Sequence, residues 1–149
     1  MKRYEKSTLI ACKIEALFAF HLDLNNLRAI TPPDTKVELL EEIASPKEGD
    51  IVRLRSVSYF IPALWEVQIE TLRAPTLLVD IALKSPFAYW KHSHIFTDLG
   101  DGMCKLKDVV EYRAPLGFVG EWFDFFIQHQ LAIMFNYRHK KTVEILEGS

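Results

Sequence analysis

Residues 87–113, FAYWKHSHIFTDLGDGMCKLKDVVEYR, contain two alternating segments on either side of a glycine-rich turn. Apolar and polar side chains alternate from Phe87 to Thr97 and again from Met103 to Arg113, with Gly100-Asp101-Gly102 between them. Alternation at a period of two is typical of β-strands with one covered face, and a short glycine turn joins antiparallel neighbours. The stretch therefore predicts a β-hairpin.

The first strand of this hairpin places two imidazoles on the face that also carries two large aromatic rings: Trp90, His92, His94 and Phe96. A solvent-facing surface has little need of tryptophan and phenylalanine, and a dry core has little room for two histidines. A partly polar cavity accommodates both kinds of side chain. This face therefore indicates a pocket, without naming what fills it.

The second strand brings a carboxylate to the same face. If the turn centres on Gly100, Asp108 lies opposite His92, and a shift of two residues places it opposite His94. A buried aspartate needs hydrogen-bond donors, and a histidine can supply one while the carboxylate favours its charged form. A structural pair, a set of polar ligand contacts and an acid–base pair all remain open.

Further strands and two short helices precede the hairpin. Alternation predicts a strand at Thr8–Ile14. A short amphipathic helix is predicted at Glu15–Leu22, and a second short helix, capped by Asp23 or Asn25, is predicted to end at Ile30. Four more strands follow, at 36–43, 50–59, 64–73 and 76–83. Proline- and glycine-containing turns separate them, which predicts an antiparallel meander.

A long helix follows the hairpin, from about Phe118 to Ile145. Residues at spacings of three and four form one stripe, which we expect to face the sheet: Phe118, Trp122, Phe126, His129, Ile133 and Tyr137. His129 would then face the histidine–aspartate group across the interior. The basic segment 138–141 is interpreted as a solvated helix end.

This order of elements predicts one α+β domain over residues 1–149. A curved antiparallel sheet of about seven strands would wrap around the long C-terminal helix, with two short helices after the first strand. Such an arrangement leaves a gap between helix and sheet.

Composition excludes several classes of protein. Lysine and arginine total 18 and aspartate and glutamate 20, so the net charge is −2 and nucleic acid is not an expected partner. The most apolar long stretch, 118–135, contains Glu121 and Asp124 and fails as a membrane span. Two cysteines make no disulfide framework, and no signal peptide is recognisable, so we expect a cytoplasmic protein, a monomer or weak dimer.

A metal site is considered and not favoured. His92-x-His94 places two ligands on one strand face, and Asp108 and His129 could complete four. A bare His-x-His pair is a weak signal, however, and no cysteines stand at metal-binding spacing. We therefore expect neither a metal nor a cofactor.

Three stretches carry a resemblance to a known superfamily. The first is 18–33, and the second is the strand that begins at Pro86-Phe87 and carries the two histidines. The third runs from Asp108 through Tyr112 to the helix segment Phe135-Asn136-Tyr137-Arg138. The chain resembles the ligand-binding branch of the START and birch-pollen-allergen superfamily, called SRPBCC or polyketide cyclase/dehydrase-like. The resemblance implies a helix-grip fold. It also implies a cavity of the kind that serves lipids, sterols, polyketides, hormones or quinones.

We therefore predict binding of a small hydrophobic or aromatic ligand between sheet and helix. The predicted contacts are Trp65, Trp90, His92, His94, Asp108, Tyr112, Trp122, Phe126, His129 and Ile133. The alternative is a cyclase- or dehydratase-type enzyme that uses the His–Asp pair as general acid or base on a polyketide-like substrate. A third hypothesis is a partner-binding surface on the excess apolar arc of the helix, at Phe123, Ile127 and Phe135, unless the N-terminal helices cover it.

Overall fold

The computed structural model describes residues 1–43, 45–58, 61–115 and 120–148. Seven strands are present in this part of the chain: β1 (Lys2–Ala11), β2 (Thr35–Leu39), β3 (Ile51–Ser58), β4 (Ile61–Arg73), β5 (Leu77–Lys84), β6 (Tyr89–Gly100) and β7 (Met103–Arg113). The helices are α1 (Ile14–Leu22), a 3₁₀ helix (Leu24–Ile30) and the long α2 (Glu121–Glu147).

All seven strands form one antiparallel sheet in the order β1-β7-β6-β5-β4-β3-β2. Strands β2 to β7 pair in chain order as a meander, and β1 returns to pair with β7. Two shifts in the pairing of β4 with β5, on either side of the segment Val67–Ile69, help the sheet to curl. The curled sheet with a long C-terminal helix confirms the predicted helix-grip α+β fold.

The register of the β6–β7 hairpin follows from its turn. Asp101 and Gly102 have φ angles of 55° and 77° and so occupy the left-handed region, as a two-residue Asp-Gly hairpin turn requires. A bulge after Asp98 then shifts the pairing, and His94 lies directly opposite Asp108. Of the two registers considered, the structure therefore has the one shifted from the Gly100-centred pairing.

The two short helices close one end of the curled sheet. Asp23 caps the 3₁₀ helix as predicted, because its carboxylate accepts a hydrogen bond of 3.0 Å from the Asn25 backbone N–H. Leu17 and Phe18 of α1 are buried in a cluster with sheet residues such as Phe96. This cluster is the main apolar core at that end of the domain.

The long helix α2 lies mainly against β1 and the 3₁₀ helix, and its side chains pack onto β7. Five buried residues at spacings of four and three define its sheet-facing side: Ile127, Leu131, Phe135, His139 and Thr142. Val110 and Tyr112 of β7 pack beneath the first three of these. Ile127 and Phe135 are thus covered by the sheet and cannot form the exposed arc considered above.

The predicted sheet-facing stripe of α2 is wrong. Trp122 is 77 % exposed, Phe126 and Ile133 are close to half exposed, and His129 lies on the surface. Phe118 lies outside the described residues. At 100° per residue the predicted and observed stripes are about half a turn apart, and both are apolar, so periodicity alone could not separate them. Polar partners in the sheet, described below, distinguish the face that turns inward.

The inner face of the sheet is not covered evenly. Across β2, β3 and β4, side chains on that face remain half-buried, among them Val37, Leu54, Trp65 and Val67. The described part of α2 lies mainly over the β1 side of the sheet. A strip of apolar surface therefore lies beside the helix.

Neither α-helix of the described ranges has both the length and the apolar character needed to cross a bilayer.

The two faces of α2 can be distinguished by a matched pair of substitutions. Phe135 is 2 % exposed and its ring lies 5.6 Å from that of Tyr4, so Phe135→Ala should lower the free energy of unfolding by about 3–5 kcal/mol. Phe125 is 73 % exposed, and Phe125→Ala should change the free energy of unfolding by less than about 1 kcal/mol. Urea unfolding followed by circular dichroism measures both, and equal losses would contradict this orientation of the helix.

Candidate functional site

A buried carboxylate organises the polar interior of the sheet. Asp108 of β7 is 3 % exposed, and its two oxygens lie 2.7 Å from His92 Nε2 and 2.6 Å from His139 Nε2. A carboxylate only accepts hydrogen bonds, so each of these imidazole nitrogens carries a proton and donates it. The predicted burial of Asp108 beside the histidine strand is therefore observed, with a second donor that comes from α2.

His94 joins two carboxylates. Its Nδ1 lies 3.0 Å from Asp108 Oδ1, out of line for a good hydrogen bond, and has no other partner among the described residues. Its Nε2 lies 3.3 Å from Asp80 Oδ2, on the neighbouring strand β5. The His94 and His92 rings are adjacent, with centroids 3.9 Å apart. Two imidazoles and two carboxylates thus meet on one face of three adjacent strands.

His139 links this group to the first strand. Its Nδ1 lies 2.7 Å from the hydroxyl of Thr8 in β1, and its side chain is 3 % exposed. A surface crevice of about 360 Å³ between β1 and α2 reaches the same imidazole. The interpretation of residues 138–141 as a solvated helix end is therefore wrong for His139, because the buried Asp108 provides a partner that the helix pattern does not reveal.

Arg138 is a second exception in the same segment. Its guanidinium carbon lies 5.5 Å from the centroid of the Phe135 ring, and its Nε is buried without a hydrogen-bond partner among the described residues. Burial lowers the pKa of Arg138, while the charges of Asp108 and Asp80 oppose that shift. An arginine is always charged in proteins, so this side chain holds a positive charge beside the two carboxylates.

His21 of α1 also reaches the group. Its ring lies 5.5 Å from that of His94 and 5.0 Å from that of Phe96, and its Nδ1 donates 3.0 Å to the carbonyl of Leu17. Burial and the neighbouring charge of His94 lower the pKa of His21 to about 4. This imidazole is neutral at pH 7. Four of the five histidines of the chain therefore gather around Asp108.

The charges of the group follow from burial and hydrogen bonding. Burial alone would raise the pKa of Asp108, but hydrogen bonds from His139 and His92 and the adjacent charged imidazole of His94 hold it well below its usual range. Burial lowers the pKa of His94, yet the contacts with Asp108 and Asp80 outweigh it and raise the value to about 9. Burial and the charge of His94 lower the pKa of His92. Of the two imidazoles on β6, His94 is therefore the one that is protonated at pH 7.

An aromatic wall adjoins this polar group. Trp90 packs against Phe87 and Trp65, with ring centroids 4.8 Å and 5.3 Å apart, and Phe87 lies 5.9 Å from Tyr112. Trp65 and Trp90 are half-buried, whereas Tyr112 is fully buried and accepts a hydrogen bond from Gln128 through its hydroxyl. Trp65 and Trp90 therefore present the aromatic surface that borders the uncovered strip.

The structure thus brings together six of the residues predicted for the site: Trp65, Trp90, His92, His94, Asp108 and Tyr112. It places the four helix residues, Trp122, Phe126, His129 and Ile133, on the other side of α2. Four further residues of the group were not predicted: His21, Asp80, Arg138 and His139. Asp80 had a recognisable signal, because it is the single charge in the apolar segment Leu77–Leu83.

Comparison with solved structures gives the same fold. A START superfamily protein from Mycobacterium smegmatis superimposes with a TM-score of 0.74 at 12 % identity, over 98 % of this chain and 97 % of that one. Ara h 8.0201 gives 0.63 at 14 % identity, over 92 % and 94 %. The di-domain ARO/CYC protein BexL of the BE-7585A biosynthetic pathway gives 0.68 at 18 % identity, over 95 % of this chain and 46 % of that one.

These identities establish the fold and leave the activity open. No family model matches the sequence, and no curated protein matches it.

Removing the charge of Asp108 tests the centre of the group. Asp108→Asn replaces the carboxylate that accepts from His92 and His139 and lies against His94 with a neutral amide. The free energy of unfolding should therefore fall by about 3–5 kcal/mol. Asp34 is exposed, and Asp34→Asn should change the free energy of unfolding by less than about 0.5 kcal/mol. Urea unfolding measures both. A loss below 1 kcal/mol for Asp108→Asn would contradict the central role of this carboxylate.

The raised pKa of His94 predicts a pH dependence of stability. Its folded value of about 9 exceeds the ordinary 6.5, so the stabilisation is complete below pH 6.5 and is lost as the pH rises through 9. Up to about 3 kcal/mol is involved. Urea unfolding between pH 6.5 and 9.5, with EDTA present, should show this decline in the wild type and in His129→Gln. The decline should be much smaller in His94→Gln, and an NMR titration that places the pKa of His94 below 7 would contradict the prediction.

Proposed function

We propose that the protein binds a small hydrophobic or amphipathic molecule on the strip of sheet that α2 leaves uncovered. The supporting observation is the half-buried aromatic wall of Trp65 and Trp90 beside a polar group that is otherwise enclosed. Ligand sites of this kind combine mostly apolar walls with a few polar groups that fix orientation. The apolar body of the ligand would lie on the tryptophans, and its polar end would point toward His94.

Arg138 supports a ligand with an acceptor group at that end. A buried donor without a partner costs free energy, which a carbonyl, phenolate or carboxylate of a ligand would recover. His94 adds a second donor, since its raised pKa keeps it charged at neutral pH. Fatty acids, quinones, flavonoids and aromatic polyketides all join an apolar body to such an acceptor. The fold that this chain shares with START-type proteins is compatible with such a role.

A second candidate is catalysis of a cyclisation or dehydration on a polyketide-like substrate. It is favoured by His94, a protonated imidazole between two carboxylates, which could act as a general acid toward a carbonyl oxygen. The fold shared with an ARO/CYC protein is compatible with it. Turnover of polyketide-like aldol substrates by the wild type and its loss in His94→Gln would support this candidate. Equal rates in the two proteins would remove it.

Filling the strip tests ligand binding without removing any existing contact. Ala82 pairs with Val67 and lies on the inner face of β5, so Ala82→Trp should block the ligand and weaken binding at least about tenfold. Its neighbour Leu83 is unpaired at the register shift and 49 % exposed, and Leu83→Trp should bind as the wild type does. Tryptophan-fluorescence and calorimetric titrations with palmitate, a naphthoquinone, a flavonoid and an aromatic polyketide measure this, with EDTA present.

Binding of none of these compounds by the wild type would contradict the proposal. Equal affinities in the two tryptophan variants would contradict the location of the site. Thermal unfolding of each variant checks that the added ring has not disrupted the sheet.

A further inference from the structure

We propose that Asp80, His92 and His94 form a binding site for one divalent transition-metal ion, with Zn²⁺ as the ion that suits them. One ligand atom from each of the three side chains lies within 4.8 Å of the others. The three residues stand on adjacent strands, with Asp80 directly opposite His92 and His94 two positions further along β6. Two imidazoles and one carboxylate are a donor set found in zinc and non-haem iron sites.

The distance between His94 and Asp80 suits a bridging ion better than a direct hydrogen bond. His94 Nε2 and Asp80 Oδ2 are 3.3 Å apart, longer than a strong charged hydrogen bond. Two ligands at about 2.0–2.1 Å from a tetrahedral zinc ion are about 3.3–3.4 Å apart. An ion placed between these two atoms would therefore need little movement of either side chain, and one ring nitrogen of His92 lies within 4.8 Å of both ligand atoms.

Asp108 orients both imidazoles for this task. It accepts a hydrogen bond from Nε2 of His92, which leaves Nδ1 of that ring as the free ligand atom. It lies 3.0 Å from Nδ1 of His94, so Nε2, the atom facing Asp80, is the nitrogen that would release its proton to solvent and bind the ion. Metal-binding histidines commonly hold their second nitrogen against a carboxylate in this way, which fixes the ring and raises its basicity. One buried carboxylate thus aligns two ligands at once.

The site is reachable and leaves room for an exchangeable ligand. The side chains of His94 and Asp80 retain 13 % and 19 % of their exposure, so an ion can reach them from solvent. Three protein ligands leave a fourth tetrahedral position for water or for an acceptor group of an organic ligand. His94 belongs to both proposed sites, as a metal ligand here and as a donor to the organic molecule in EDTA, and the two proposals are tested separately.

Asp80 changes the assessment made from the sequence. His92-x-His94 alone is a weak indication, and the two further ligands considered there do not complete a site. His129 lies on the outer side of α2, and Asp108 is engaged by His92 and His139. Asp80 comes from a different strand, and only the pairing of β5 with β6 brings it beside the histidines. The third ligand is thus a product of the fold.

Calorimetric titration of the EDTA-stripped, dialysed protein with ZnCl₂ tests the site. The wild type should bind one equivalent, and Asp80→Asn should bind at least about tenfold more weakly. The side chain of Asp80 makes one long hydrogen bond within the described ranges, so Asp80→Asn should remain folded, which thermal unfolding checks. His129→Gln is the matched control, because it removes the one histidine outside the group and should leave the affinity unchanged.

Co²⁺ provides a spectroscopic readout of the same site. Bound by two imidazoles, a carboxylate and water, it should give the visible absorption of a tetrahedral complex in the wild type and lose it in His94→Gln. No Zn²⁺ binding by the wild type, or equal affinity in Asp80→Asn, would overturn the proposal. The organic-ligand titrations are made in EDTA, so that failure of one proposal leaves the other standing.

Discussion

The buried charge of Asp108 is the constraint on which the rest of the structure depends. A carboxylate that is 3 % exposed must be surrounded by donors, because an unpaired buried charge costs several kcal/mol. Its donors come from β6 and from α2, so the same group ties the helix to the sheet. The first half of the helix carries apolar side chains on more than one face, and apolar packing alone would allow more than one of these faces to turn inward. The bond from His139 removes that freedom.

This constraint also explains what could and could not be predicted from the sequence. The alternation of residues 103–113 placed Asp108 on the histidine face, because the period of a strand is fixed at two. The meander of successive strands and the sheet wrapped on one long helix followed from the turns and from that helix, whereas the pairing of β1 with β7 was not predicted. The orientation of that helix did not follow, since Trp122 and Phe126 offer as apolar a stripe as Ile127 and Leu131. Its deciding residue, His139, stands in a basic segment that is typical of a solvated helix end.

The missed residues share one property, which is that their partners are distant in the chain. Asp80 meets His94 through strand pairing, and His21 reaches the same ring from α1. Periodicity reports which face a side chain occupies, but it does not report which face of another element lies opposite. Asp80 was nevertheless recognisable as a lone charge in an apolar strand. A buried charge of that kind indicates that a partner exists before the partner is known.

The hydrogen bond between Thr8 and His139 joins residues 131 positions apart. Strand β1 also pairs with β7. The first strand is therefore held in place by β7 and by α2, which are both synthesised late. During translation, Asp108 leaves the ribosome well before His139 and lacks one of its donors until α2 has emerged. A nascent chain that ends before α2 would keep its sheet loosely formed and its apolar inner face exposed. Stable folding of this domain is therefore expected to be a late event in its synthesis, and truncation within α2 should leave a chain that depends on chaperones.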